Sequence, residues 1–292
     1  MGTVGIGLNL IFLSALANGT FALLLTRRKT YRLEHMWSAA FLLGYFAFPV
    51  VFISIYSPGW TMLLQGLGSR TFIIIFLGAG WGVASLFFVK GISTMGLSSG
   101  YAIIFGVAIA LGSAIPLIRQ WTFTSSHSRT LILVGIGVCI TGVILSSIAA
   151  SKKQPVNRTE KSNTPLRGIS ACIISGALSA CANIGYDLTG HVVTNAQRLG
   201  IGTLSMSITR WIPIYVGGCA VVLCYSSFKI TRARTWNLFV SKGFVPDLLA
   251  VLVIAILLIL GQVPYGAGTY FLGRLGVSVG WAVYISLSII VA

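Results

Sequence analysis

The 292 residues contain only four carboxylates that could carry a proton: Glu34, Glu160, Asp187 and Asp247. An ionisable group lying within an apolar run is a functional candidate by default. Asp187 sits near the end of such a run, with His191 one helical turn on, and is the first candidate for proton binding. Glu34 opens another run beside Arg32 and is the second. Each would equally serve as a surface or loop contact. Side chains suited to a neutral, hydroxyl-bearing ligand are more numerous. Asn18, Asn183 and Gln262 offer amides that both donate and accept. Trp81, Tyr101, Tyr186, Tyr265 and Trp281 offer flat apolar faces with a polar edge. Gln262 and Tyr265 flank Pro264, which removes a backbone donor and is tolerated where the freed carbonyl finds a partner or faces a cavity. Plainer roles fit the same types: amides bridge helices, and aromatics near span ends anchor at the membrane interface.

The elements that must hold these side chains are apolar throughout. Hydrophobic residues make up 56% and charged residues 8%, against roughly 25% charged in a soluble domain. Such a chain cannot cover its surface with polar groups, so its solvent is lipid. A helix needs about 20 apolar residues to cross the hydrocarbon core. Nine segments meet that measure: 4–25, 37–56, 71–92, 97–118, 130–150, 168–189, 205–228, 248–271 and 277–292. No basic residue precedes the first, and Arg27, Arg28 and Lys29 follow it, a pattern unlike a cleaved signal peptide. Lys90 and Arg210 lie near segment ends, where they would snorkel to the interface or pair with an acid. The stretches 60–67 and 236–244 are short and amphipathic and are expected to lie flat at opposite interfaces.

Two phrases recur in order. Residues 13–21 read LSALANGTF and 178–186 read LSACANIGY, an offset of 165; residues 96–103 read GLSSGYAI and 276–283 read GVSVGWAV, an offset of 180. Asn18 is thereby matched with Asn183, and Tyr101 with Trp281. Five spans fill residues 1–150, a polar linker covers 151–167, and the second copy runs over 168–292. Odd-numbered halves enter the membrane in opposite directions, which gives an all-α inverted 5+5 helix repeat with its binding site at the interface between the copies. By the 180 offset Ala292 matches Gly112, so a complete second copy would need about 35 to 40 further residues, and the ninth span is expected to be truncated.

Basic residues orient the chain. Arg27, Arg28, Lys29 and Arg32 follow span 1, Lys152, Lys153, Arg158, Lys161 and Arg167 follow span 5, and Lys229, Arg232, Arg234 and Lys242 follow span 7. The other loops hold only Arg70, Arg119, Arg129, Arg198 and Arg274. The positive-inside rule then puts the N-terminus outside. The net charge of +16 is this loop bias with few acids to offset it, and no nucleic-acid partner is expected. Asn18-Gly19-Thr20 lies within a span and Asn157-Arg158-Thr159 in a cytoplasmic loop, so neither is read as a glycosylation site. The cysteines fall within spans without metal-ligand spacing, and no phosphate loop, nucleophile triad or paired carboxylates are present. A membrane-embedded enzyme is disfavoured on that ground.

Three stretches carry a resemblance. Leu33 to Ser38 after the basic cluster, Gly78 to Gly82 with Gly96 to Gly100, and Ser175 to Ala180 with Leu199 and Gly200 resemble the L-rhamnose–proton symporters of the drug/metabolite transporter superfamily. The resemblance implies ten spans, a cavity lined by spans 1, 3, 4, 6, 8 and 9, and uptake of L-rhamnose or a similar sugar with a proton across a bacterial inner membrane. It implies no cofactor beyond the proton gradient, and as partners a sugar, a proton and membrane lipid. A deoxy-sugar presents hydroxyls and one apolar face, which suits the amides and aromatic rings above. A permease or exporter for another small metabolite is the alternative.

Overall fold

The computed structural model describes residues 2–25, 28–123, 125–153 and 164–291. Among these the chain is helical and has no strand. Lipid leaves a backbone no outside hydrogen-bond partner, so the apolar runs must close their bonds internally. The helices are α1 (Gly2–Leu25), α2 (Leu33–Phe41), α3 (Phe48–Tyr56), α4 (Arg70–Met95), α5 (Leu97–Arg119), α6 (Ser126–Lys153), α7 (Thr164–Leu188), α8 (Gly190–Leu199), α9 (Thr203–Arg232), α10 (Val245–Phe271) and α11 (Gly276–Val291). Among the described residues seven helical stretches are long and apolar enough to cross a membrane: α1, α2 through α3, α4, α5, α7 with α8, α9 and α10. The other two expected segments correspond to α6 and to α11, which at 16 residues is short for a crossing. Most of the linker 151–167, Glu160 included, lies outside the described residues, as does Arg27.

Between α2 and α3 the chain takes a π-helical segment, Leu42–Ala47. Pro49 stands at the start of α3 and has no N–H to return to the preceding turn. The Phe48 N–H reaches back five residues to the Leu43 carbonyl, and the wider turn presents Gly44 and Tyr45 inward, both buried. π-Bulges of this kind recur at functional sites.

Glycine lets the helices approach closely. A Cβ on Gly7 of α1 would lie 2.9 Å from the Gly268 carbonyl of α10, and one on Gly268 would lie 2.7 Å from the Gly7 carbonyl. On α4 and α9, Gly78 meets the Ile214 carbonyl and Gly217 the Ile75 carbonyl with no room for any side chain. Small residues at helix contacts are the membrane substitute for hydrophobic association. The packing partners also exchange in pairs. α1 contacts α10 as α7 contacts α4, and α11 contacts α1 as α5 contacts α7. α5 meets α11, and α2 meets α9.

At the loop end of α10, Asp247 ties the first loop down. Its carboxylate accepts hydrogen bonds from the backbone N–H groups of Lys29 (2.9 Å), Thr30 (2.6 Å) and Tyr31 (2.7 Å). The Tyr31 hydroxyl donates to the Phe239 carbonyl at 3.2 Å. Burial, with the nearby Asp247 carboxylate, raises the Tyr31 phenol above its ordinary pKa. The acid at 247 is therefore structural.

Candidate functional site

A cavity lies at the centre of the helix packing, where α1, α2, α4 and α10 converge. Asn18 and Phe21 enter from α1, Trp37 and Phe41 from α2, Tyr45 from the π segment, and Trp81, Ser85 and Phe88 from α4. Phe105 of α5, Ser179 of α7, and Leu258 and Gln262 of α10 complete it. The spacing explains the arrangement. Trp37, Phe41 and Tyr45 are four residues apart, as are Trp81 and Ser85 with Phe88 three further on, so each set forms one stripe of a helix. The walls are aromatic: Trp81 packs on Tyr45 at 4.9 Å and on Phe41 at 5.5 Å between ring centroids, and Phe21 stacks on Phe88 at 6.3 Å.

Few polar groups face this box, and two of them have spare acceptors. The Asn18 amide donates to Ser288 Oγ at 3.1 Å, which leaves its Oδ1 for a ligand. Gln262 is 6% exposed, and its Oε1 is buried without a hydrogen-bond partner. The Tyr45 hydroxyl approaches the Gln262 amide without satisfying that oxygen. An unpaired buried acceptor costs about 1–3 kcal/mol, so this is a position where a ligand hydroxyl would recover energy. The cavity measures about 80 Å³, well below the roughly 300 Å³ of a small-molecule pocket. Its walls must therefore move to admit a ligand of that size.

A larger cavity of about 440 Å³ lies beyond, lined by Leu33, Glu34, Trp37, Leu86, Lys90 and Tyr225 among others. Trp37 borders both spaces. It is nearly buried, and its Nε1–H points to Ser85 Oγ at 3.4 Å. The indole thus stands between this vestibule and the central cavity.

The residues singled out from sequence divide into three groups. Asn18, Trp81 and Gln262 line the central cavity, and Glu34 lines the vestibule. Asn183, Tyr265 and Trp281 are brought together elsewhere, as a buried bridge between helices. Asn183 Nδ2 donates to the carbonyls of Gly112 (2.8 Å) and Val277 (3.2 Å), and its Oδ1 accepts from Tyr265 Oη at 2.5 Å. Trp281 Nε1 donates to the Ala108 carbonyl at 2.9 Å. Tyr101 sits behind the cavity wall, edge-on to Phe88 and Phe105 at 5.4 and 4.7 Å. The third group faces the other end of the molecule. Tyr186 packs on Trp211 at 4.6 Å between centroids and carries the Arg210 guanidinium 3.7 Å above its ring. Asp187 forms an ion pair with Arg119.

Arg210 does not snorkel. It is buried, and donates to Thr189 Oγ1 at 2.9 Å and the Tyr186 carbonyl at 3.0 Å. Next to Pro264, the carbonyls of Gln262 and Val263 accept from Trp211 Nε1 (3.0 Å) and Ser207 Oγ (2.7 Å), which ties this part of α10 to α9. Span 9 was expected in the cavity wall and supplies none of the lining residues, whereas span 2 supplies three. α2 presents Trp37 and Phe41 to the cavity, and the π turn at Leu42–Ala47 carries Tyr45 into the same wall. Of the lining residues, sequence reasoning had singled out Asn18, Trp81 and Gln262 and missed the rest; for Trp37, Phe41 and Tyr45 the four-residue spacing was the available signal.

The fold and cavity define an integral membrane protein with a small polar-and-aromatic chamber among its helices. Residues 2–245 match the family described as L-rhamnose-proton symport protein, and the chain belongs to that family. The family is one of transporters, not enzymes. The chain is 24% identical over 221 residues to proteins named L-rhamnose-proton symporter from Yersinia pestis bv. Antiqua (strain Antiqua) and Yersinia pseudotuberculosis serotype O:1b (strain IP 31758). Those matches cover 74% of this chain and 64% of each relative, so the chain spans about two thirds of the length of the curated relatives it matches. No solved structure gives a significant match.

Proposed function

We propose that this protein is a secondary active transporter that takes up L-rhamnose or a closely similar sugar together with a proton, with the proton gradient as its only energy source. The observation that carries the reading is the central chamber, an aromatic box lined by Asn18 and by Gln262, whose buried Oε1 is unpaired. Hydroxyls of a deoxy-sugar would satisfy the acceptors, and its apolar face would lie on Trp81 or Phe41. Family membership and the relatives' names support the substrate class. The pairwise exchange of helix contacts supports a two-fold relation of spans 1–5 to spans 6–9, which an odd number of spans in the first half would make inverted. On this reading the N-terminus is outside, the vestibule holding Glu34 opens to the cytoplasm, and the membrane is a bacterial inner membrane.

Sugar enters from the outer end and reaches the chamber when the Tyr186–Trp211 end opens; it leaves when Trp37 swings away from Ser85 and joins chamber to vestibule. Asp187 is the proton site in this scheme. Protonation would release Arg119 from its ion pair and loosen the contact between α5 and α7. The test is uptake of labelled L-rhamnose as a function of external pH in cells producing wild type or Asp187→Asn. Loss of pH dependence in the variant supports the assignment. Proton-driven uptake unchanged from wild type removes Asp187 from the mechanism and leaves Glu34 as the proton carrier.

A further inference from the structure

Beside the vestibule, between the start of α2 and the end of α9, lies a separate cavity of about 250 Å³. Arg32, Lys229 and Arg232 stand around it with Glu34, and His35 and Thr235 line its buried part. The cations have no carboxylate partner: among the described residues the one ion pair within 4.0 Å is Arg119–Asp187. Lys229 and Arg232 lie in the last turn of α9, where cations complement the helix dipole. That placement accounts neither for Arg32, which comes from another element, nor for what lies beneath.

His35 is fully buried and Thr235 is 8% exposed, yet His35 Nδ1 and Thr235 Oγ1 have no hydrogen-bond partner. The chemistry of these two atoms is fixed by their neighbours. His35 Nε2 lies 2.9 Å from the Thr235 carbonyl. A carbonyl can only accept, so Nε2 carries the hydrogen and Nδ1 of the neutral ring is a bare acceptor. Thr235 Oγ1 has a hydrogen to donate. Thr235 is held in place by the end of α9: its N–H returns to the Ile230 carbonyl at 3.1 Å and that of Arg234 to Thr231 at 3.0 Å, the two bonds of a Schellman turn. Arg234 takes the left-handed position with φ 53°, a conformation that costs a non-glycine residue about 1–2 kcal/mol.

We propose that this cavity is a binding site for a phosphate group that carries a hydroxyl beside it. The three cations take the anionic oxygens and outweigh the single Glu34 carboxylate. A small shift of the wall uncovers Thr235 Oγ1 and His35 Nδ1, both covered in this structure; Oγ1 then donates to a phosphate oxygen, and Nδ1 accepts from the hydroxyl. Two sources offer this pair: the P–OH of inorganic phosphate or a phosphomonoester, and the glycerol headgroup of phosphatidylglycerol. Fully ionised sulfate supplies the charge but no donor for Nδ1.

Purified protein in phosphatidylcholine vesicles, titrated with sodium phosphate or with sodium sulfate at matched ionic strength, tests the free anion by thermal unfolding. Vesicles of three parts phosphatidylcholine to one part phosphatidylglycerol, followed by native mass spectrometry of retained lipid, test the headgroup. Stabilisation by phosphate above sulfate in neutral vesicles supports the site with a free phosphate as ligand. Selective retention of phosphatidylglycerol supports it with the lipid as ligand. In either arm Arg32→Gln, Lys229→Gln and Arg232→Gln each weaken binding roughly five-fold, and Thr235→Val weakens it several-fold. The glutamine substitutions are at exposed positions, so folded protein is obtained for at least those. No effect in either arm, sulfate stabilising the protein as much as phosphate does, or variants that bind like wild type would each overturn the proposal.

Discussion

Replacing Gln262 by Met should move stability and transport in opposite directions. Methionine keeps the volume of the side chain and removes the amide. Gln262 is 6% exposed and its Oε1 has no partner, so wild type bears the cost of a buried unsatisfied acceptor, about 1–3 kcal/mol. The variant should recover part of that and unfold at a higher temperature. The transporter proposal assigns that same acceptor to a substrate hydroxyl, a hydrogen bond worth about 0.5–1.5 kcal/mol net. Its loss raises the apparent substrate constant about two- to twelve-fold. Both quantities are measurable on one preparation. Cys172 and Cys219 are free and buried whereas Cys181 and Cys224 are more accessible, so with those two replaced a thiol-reactive dye reports unfolding, and labelled rhamnose uptake gives the constant. A variant less stable than wild type would show that the amide is satisfied in the folded protein. A more stable variant with an unchanged substrate constant would show that the chamber is not where sugar binds.

Asn183→Leu should behave in the contrary way, lowering stability by about 2–4 kcal/mol because it strands the Gly112 carbonyl and breaks the Tyr265 contact; thermal unfolding checks it, and stability equal to wild type would refute the bridging role. Arg234→Gly should stabilise the protein by about 1 kcal/mol by relieving the left-handed residue at the end of α9, again read as a rise in unfolding temperature. Trp37→Ala should remove the partition between vestibule and chamber, so that a cysteine introduced at Ser85 becomes accessible to a water-soluble thiol reagent added from the Glu34 side; protection equal to that in the Trp37 background would deny the indole that role.

The helices were legible because lipid removes every alternative: an apolar run of about 20 residues has one way to satisfy its backbone. The repeated phrases were legible too, but equivalence in sequence did not mean equivalence of environment. Asn18 faces the chamber and keeps an acceptor free, whereas its match Asn183 is consumed by Gly112, Val277 and Tyr265. The aromatic stripe of α2 shows a second limit. Phe72 and Phe76 have the same four-residue spacing on α4 as Trp37 and Phe41 on α2, yet each is 77% exposed. Periodicity identifies a face of a helix, and in a soluble protein the apolar face is the inner one. Lipid is as apolar as the core, so the pattern alone cannot say which face turns inward. The π turn ahead of Pro49 decided it for Tyr45, and no spacing rule encodes such a turn.

The most direct test of the transport reading is uptake of labelled L-rhamnose into cells producing the protein, with the external medium made acidic and then with the gradient collapsed by an uncoupler. The account predicts accumulation above that of cells lacking the protein, competed by unlabelled rhamnose and lost with the gradient. Uptake no greater than in cells lacking the protein, or accumulation indifferent to the gradient, would contradict it.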